Sequence, residues 1–181
     1  MQRIPHFEEG EYHFDDYPDF IPNYSPKEMI EMGVFGGTYF NRESYREMIH
    51  PEVFSGSQSK YNLEEKDGSV NFFKVLAGNS REWWEARNLI RHEYNTEGWF
   101  QWYCRFYYGR RCGDDKREIL RWKNFKLRHL RMYYDCIERY KSNDIQGALL
   151  DNETYPKYKQ SILQWAMEPK MYYETLRKSK V

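Results

Sequence analysis

Seven rings crowd the ten residues Trp99–Tyr108, in "GWFQWYCRFYYGRRCGDDKREILRW", and Arg105 sits among them. Arg110, Arg111 and Arg117 follow, with the paired acids Asp114 and Asp115 between them. Guanidinium groups bind phosphate or carboxylate through two parallel N–H donors. Indole and phenol rings stack on planar bases. A carboxylate beside them can move a proton or stabilise a cation. These residue types therefore suit a nucleotide, a nucleobase or a nucleic-acid segment: Arg105, Arg110, Arg111 and Arg117 on the anion, Trp99 and Trp102 on the base, Asp114 or Asp115 as acid or base. The same residues also suit a helical hairpin whose acids pair its arginines across the turn. Asp115, four residues after Arg111 and three before Glu118, reads equally well as a helix cap.

Helical spacing sharpens the choice. On a helix from Gly98 to Tyr108 the rings cover nearly the whole circumference, so the helix is buried. Gln101 and Arg105 stand at i and i+4 on one face. A charge carried into such an interior costs several kcal/mol unless it is paired. Arg105 must then meet a carboxylate, backbone carbonyls or an anionic ligand. In the first case the protein is a structural or interaction protein whose aromatic–arginine network is all core. In the last it holds a pocket.

Charge is balanced overall, with 28 basic and 28 acidic residues in 181, but it is unevenly placed. Residues 1–20 carry six acids and one base, whereas residues 99–141 carry twelve bases and five acids. The basic part can serve an anionic ligand, or the acidic arm can lie over it. Arg121, Arg128 and Arg131 form a basic face of the helix after Asp115, which is either solvated or applied to a phosphate backbone.

The elements that must position these groups read as helices. "SPKEMIEMG" has Ser25 as N-cap, Pro26 at N1, Glu28 closing a capping box and Gly33 as the stop. A short helix runs from Asn41 to about Ile49. Another begins at Asn79 or Ser80, one long helix runs near 115–141 with a gap in its apolar pattern at Lys126, and one or two helices close the chain, with a break at Pro169. "VNFFKVL" is a candidate short strand. Residues 1–24, broken by Pro5, Pro18 and Pro22, read as an irregular acidic arm packed on a single helical domain over 25–181. The fold class is all-α or nearly so, a compact helical bundle.

Between the first two helices, Gly36 and Gly37 permit a tight turn or close approach of a ligand to the backbone. Neither dinucleotide nor P-loop glycine spacing follows, and no cofactor motif is present. The five histidines are scattered and no CxxC occurs, so no metal site is expected. Three cysteines without a pairing pattern suit a cytoplasmic protein with free thiols. No apolar run is long enough to span a bilayer, which points to no membrane partner. "SPKEMIEMGVFGGTYF" and "GWFQWYCRFYYGRR" resemble an uncharacterised family of small bacteriophage, bacterial and microbial-eukaryote proteins. The resemblance covers about Tyr17–Arg131. It implies no known activity, but it implies that segments Gly33–Phe40 and Gly98–Arg111 come together, and a nucleic-acid or host-defence setting.

Overall fold

A computed structural model describes residues 4–56 and 58–174. Helix dominates, with one two-stranded sheet among the described residues. None of the described helices is long and apolar enough to cross a membrane.

The N-terminal arm is more ordered than its prolines suggest. Strands β1 (His6–Glu8) and β2 (Glu11–His13) pair antiparallel, with Phe7 opposite Tyr12. Glu9 and Gly10 both take positive φ, which two-residue hairpin turns demand. Beyond it, Phe14 and Phe20 are almost fully buried. Both rings pack on Phe106, and Phe20 lies edge-on to Trp122 at 5.1 Å.

Helix α1 (Pro26–Met32) has the expected capping box. Ser25 Oγ accepts from the Glu28 amide, and the Glu28 carboxylate accepts from the Ser25 amide. Gly33 stops the helix at φ 79°, where a Cβ would meet the Val70 carbonyl oxygen at 1.9 Å. The expected helix at 41–49 shrinks to α2 (Glu43–Arg46). "VNFFKVL" forms no strand. Its amides are taken singly, Phe72 N–H by the Gly33 carbonyl and Phe73 N–H by Gln160 Oε1, so no ladder can start. Helix α3 (Arg81–Glu85) starts at Ser80, whose hydroxyl accepts from the Trp83 amide.

Helix α4 (Trp99–Tyr107) runs through the core, with Trp102, Tyr103 and Phe106 sealed from solvent. The expected long helix is three helical segments end to end. They are α5 (Asp115–Phe125), a π turn over Lys126–Leu130, and α6 (Arg131–Tyr140). The π turn accounts for the gap at Lys126. One extra residue per turn shifts the apolar register. The Lys126 ammonium rests on the rings of Tyr172, at 3.5 Å, and Trp122, at 5.2 Å. Burial pulls its pKa down to about 8. Helices α7 (Ile145–Leu150) and α8 (Pro156–Leu163) follow. Buried Lys159 donates to the carbonyls of Ala148 and Asp151, closing the C-terminal end of α7.

Candidate functional site

The face of α4 that carries Gln101 and Arg105 is tied to the segment before it. Gln101 Oε1 accepts from the Glu97 amide at 3.1 Å. Arg105 meets no acid among the described residues: it donates to the carbonyls of Tyr94 at 2.9 Å and Met48 at 3.4 Å, and to Met48 Sδ. Arg110 donates to Asn95 Oδ1 at 2.8 Å. Arg111 is different. Its Nε and Nη2 bond both oxygens of Asp16, at 2.7 and 3.0 Å, and its guanidinium lies 3.8 Å from the Phe106 ring centre. Lys123 pairs with Asp19 at 3.1 Å. At these two points the acidic arm lies over the basic helices.

The expected acid–base pair is buried. Asp114, 1% exposed, accepts two bonds of 2.7 Å from Arg117, with Arg91 at 3.5 Å. Burial raises its pKa, but Arg117 and Arg91 outweigh burial and hold it below the usual carboxylate range. Asp115, also 1% exposed, accepts from Trp102 Nε1 at 2.9 Å and from the Cys112 amide at 2.9 Å. It closes the preceding turn instead of capping α5 through a reciprocal box with Glu118. Trp102 itself is sealed in the core. Neither acid nor Trp102 lines the cavity beside α4.

The neighbouring carboxylate is the shifted one. Glu118 is 1% exposed and contacts Arg117 and Arg121. Burial pushes its pKa up to about 7, against the pull of Arg121, Arg117 and with the push of Asp114. Of the residues read as a basic face, Arg121 is turned inward, donating to Glu118 and the Leu89 carbonyl. Arg128 is exposed on the π turn and Arg131 is half-buried. The π turn separates these three, and they do not form one solvated stripe.

A cavity of about 700 Å³ lies beside α4. Its apolar wall is aromatic: Trp84, Trp99, Trp165, Phe35 and Phe100. Trp165 stands 4.9 Å from Trp99 and 6.4 Å from Trp84, centre to centre. Arg121 lies over both Trp84 and Trp165 at 5.7 Å. Arg81 bonds both carboxylate oxygens of Glu97, at 2.7 and 2.6 Å, and reaches Tyr45 Oη and the Thr96 carbonyl. Arg42 and Lys66, both exposed, complete the cationic lining, and Arg42 donates to Tyr45 Oη at 2.8 Å. Of the residues singled out from sequence, Trp99 and Arg121 line this space; Arg105, Arg110, Arg111, Arg117, Asp114 and Asp115 do not. Arg42, Lys66, Arg81, Trp84 and Trp165 were not singled out. They lie in loops and a short helix without periodicity, and only the Trp83–Trp84 pair gave a compositional hint.

Segments 33–40 and 98–111 do meet. Phe35 packs on Phe100 at 4.4 Å, and Tyr39 Oη accepts from the Gln101 amide while donating to the Glu97 carbonyl. Gly36 and Gly37 serve this approach from behind the cavity wall. Both take positive φ, Gly36 N–H is held by Asn71 Oδ1, and the Gly37 carbonyl accepts from Leu63 N–H. A Cβ on Gly37 would lie 2.5 Å from Leu63 Cδ1 and 2.8 Å from the Ser59 carbonyl oxygen. Gly37→Ala is therefore expected to cost about 1–3 kcal/mol in urea unfolding, the range for a non-glycine residue held left-handed. A loss below about 0.5 kcal/mol would show that the turn relaxes freely. Among the described residues no group of His, Cys, Asp and Glu is arranged to hold a metal. Set against protein-family models, curated proteins and solved structures, the chain matches none, so the reading of its site rests on geometry.

Proposed function

We propose that the protein binds a nucleotide, or a nucleic-acid end presenting one base and its phosphate, in the aromatic cavity between α3, α4 and the turn after α8. The observation that carries this reading is the arrangement of the lining. Indole and phenyl faces form the floor, and Arg42 and Lys66, which form no salt bridge among the described residues, stand exposed at the rim, Lys66 near enough to Glu82 to help Ser80 lower its pKa. Rings take a planar base at roughly 1–3 kcal/mol per stacked base, and rim cations take the phosphate. The volume lies in the range of small-ligand sites. The cavity carboxylates do not suggest chemistry: Glu97 is committed to Arg81, Glu82 belongs to the first turn of α3, and Glu64 is exposed to solvent. Binding is accordingly the activity proposed, without a reaction.

A second reading holds for α4 itself. Arg111 and Arg117 are paired internally and the rings are core, which favours architecture over ligand binding along that helix. The two readings part at the cavity. Titration with nucleoside monophosphates should quench indole fluorescence, since Trp84, Trp99 and Trp165 all line the space. Arg42→Ala should weaken binding roughly tenfold with unchanged stability, the worth of one charge-assisted hydrogen bond of about 1.5 kcal/mol. Absence of quenching at millimolar nucleotide would leave the purely architectural reading.

A further inference from the structure

Away from the cavity, Arg105 and Arg110 present a second concentration of unpaired positive charge. Arg105 is in the last turn of α4 and Arg110 lies just past it. The two side chains reach the same stretch of backbone, Arg105 to the Tyr94 carbonyl and Arg110 to the Asn95 side chain. Among the described residues neither guanidinium has a carboxylate within 4.0 Å. Every other arginine of this segment has one: Arg111 has Asp16, Arg117 has Asp114, and Arg121 has Glu118.

Two donors here lack partners altogether. Asn95 is 2% exposed, and its Nδ2 makes no hydrogen bond. Arg110 Nε is likewise buried and unbonded. A buried donor left unmade costs about 1–3 kcal/mol, so native structures rarely keep two side by side without a use. The charge is also uncomfortable. Burial, and then the neighbouring Arg110, lower the pKa of Arg105. The α4 carbonyls offset part of this repulsion, since a helix C-terminus carries partial negative charge. They leave the Asn95 amide donor and the Arg110 Nε–H unsatisfied.

We infer that Arg105, Arg110 and Asn95 form a binding site for a phosphoryl oxyanion, separate from the aromatic cavity. Guanidinium forks and an amide N–H₂ are matched to the several lone pairs of a tetrahedral oxyanion. The segment Tyr94–Glu97 divides the two sites. Asn95 faces Arg110, while Glu97 and the Thr96 carbonyl face Arg81. The buried donors become reachable to the ion only if this segment shifts.

Inorganic phosphate is the probe, with chloride and acetate at equal ionic strength as comparisons. Phosphate should raise the melting temperature saturably, by mass action on the folded state, and acetate should do so far less. Arg105→Met and Arg110→Met should each weaken phosphate binding at least about tenfold. Without phosphate, each substitution removes a like charge and strands no acid, but Arg105→Met frees the Tyr94 and Met48 carbonyls and Arg110→Met frees Asn95 Oδ1, so both should fold and melt only modestly below the wild type. Arg42→Ala, at the cavity rim, should retain the response. Equilibrium dialysis of the wild type with labelled phosphate gives the affinity independently of folding, and Arg110→Lys, which keeps charge but not the fork, should fall between. The proposal is overturned if wild-type protein shows no saturable binding, or if Arg42→Ala alone abolishes it. It is equally overturned if acetate binds as well as phosphate, or if Arg105→Met and Arg110→Met bind labelled phosphate as tightly as the wild type.

Discussion

Arg111→Ala is expected to destabilise the protein by about 3–5 kcal/mol, the cost of breaking a largely buried ion pair by removing one member. The side chains of Arg111 and Asp16 are 13% and 18% exposed, so solvent screens the pair only weakly. Removing the guanidinium strips Asp16 of two donors and Phe106 of a cation at 3.8 Å. The loss also frees two carbonyls, of Phe106 and Arg110, from the same side chain. Arg111→Met tests what kind of loss this is. It keeps much of the packing, so it should remain harmful while Asp16 is present and recover when Asp16→Asn is added. Urea midpoints of the four proteins give the coupling, expected to exceed about 1.5 kcal/mol for residues in direct contact. The N-terminal arm should also become sensitive to protease in Arg111→Ala, because the pair ties it to the turn after α4. Destabilisation below about 1 kcal/mol with an unchanged arm would mean that Phe14 and Phe20 alone hold it.

That pairing was half visible beforehand. The acidic excess of residues 1–20 and the basic excess of 99–141 state that the two attract, and the structure joins them at Asp16–Arg111 and Asp19–Lys123. What charge totals do not contain is which arginine gets the acid. Arg105 and Arg111 are equally plausible partners on paper, and the chain delivers Asp16 to one of them only. Helix starts written in contiguous residues were readable for the same reason that α1 forms: Ser25 and Glu28 satisfy each other locally. Asp115 and Glu118 have the same spacing yet make no box. Other partners win: Asp115 takes Trp102, thirteen residues away, and the Cys112 amide, while Glu118 turns to its helix neighbours Arg117 and Arg121.

The cavity was largely invisible for a related reason. Its lining comes from scattered places, residues 35–45 around the start of α2, the loop at 64–80, α3, α4 and the turn after α8, so no period or motif joins Arg42 to Trp165. Trp99 and Arg121 could be singled out because they sit on helices dense in rings and charge. The hairpin at residues 6–13 was hidden by its brevity, since three-residue strands carry almost no alternation. Only Glu9–Gly10 marks it. Lys126 is the converse case. A lysine breaking an apolar stripe was a visible anomaly, and it coincides with the π turn that shifts the register.

Glu118 is expected to make the protein less stable as pH rises from about 5 to 8, outweighing His129, whose pKa burial lowers and whose contribution therefore runs the other way. Its folded pKa, about 7, stands above the ordinary 4.5 because the carboxyl is buried. Between those values the folded state keeps a proton that the unfolded chain has released. The advantage is complete below 4.5 and is lost as pH rises through 7. A difference of about 2.5 units corresponds to roughly 3 kcal/mol. The groups facing Glu118 are Arg117, Arg121 and Asp114, with Arg91 beyond Asp114. Asp114 is held low and releases its contribution only beneath 3.8, outside this window. Glu118→Gln imitates the protonated form. It should match the wild type near pH 5, exceed it near pH 8, and flatten the slope in between. The cavity should respond in step. Protonating Glu118 leaves Arg121 less neutralised beside Trp84 and Trp165, so an anionic ligand should bind more tightly at pH 6 than at pH 8. A cyclic mononucleotide is the suitable probe, since its diester charge is constant over that range. Affinity in Glu118→Gln should be high and independent of pH. If wild-type stability instead rises from pH 5 to 8 and the Gln variant is the weaker at both ends, Glu118 is ionised throughout. It then serves as the counter-ion that Arg117 and Arg121 require.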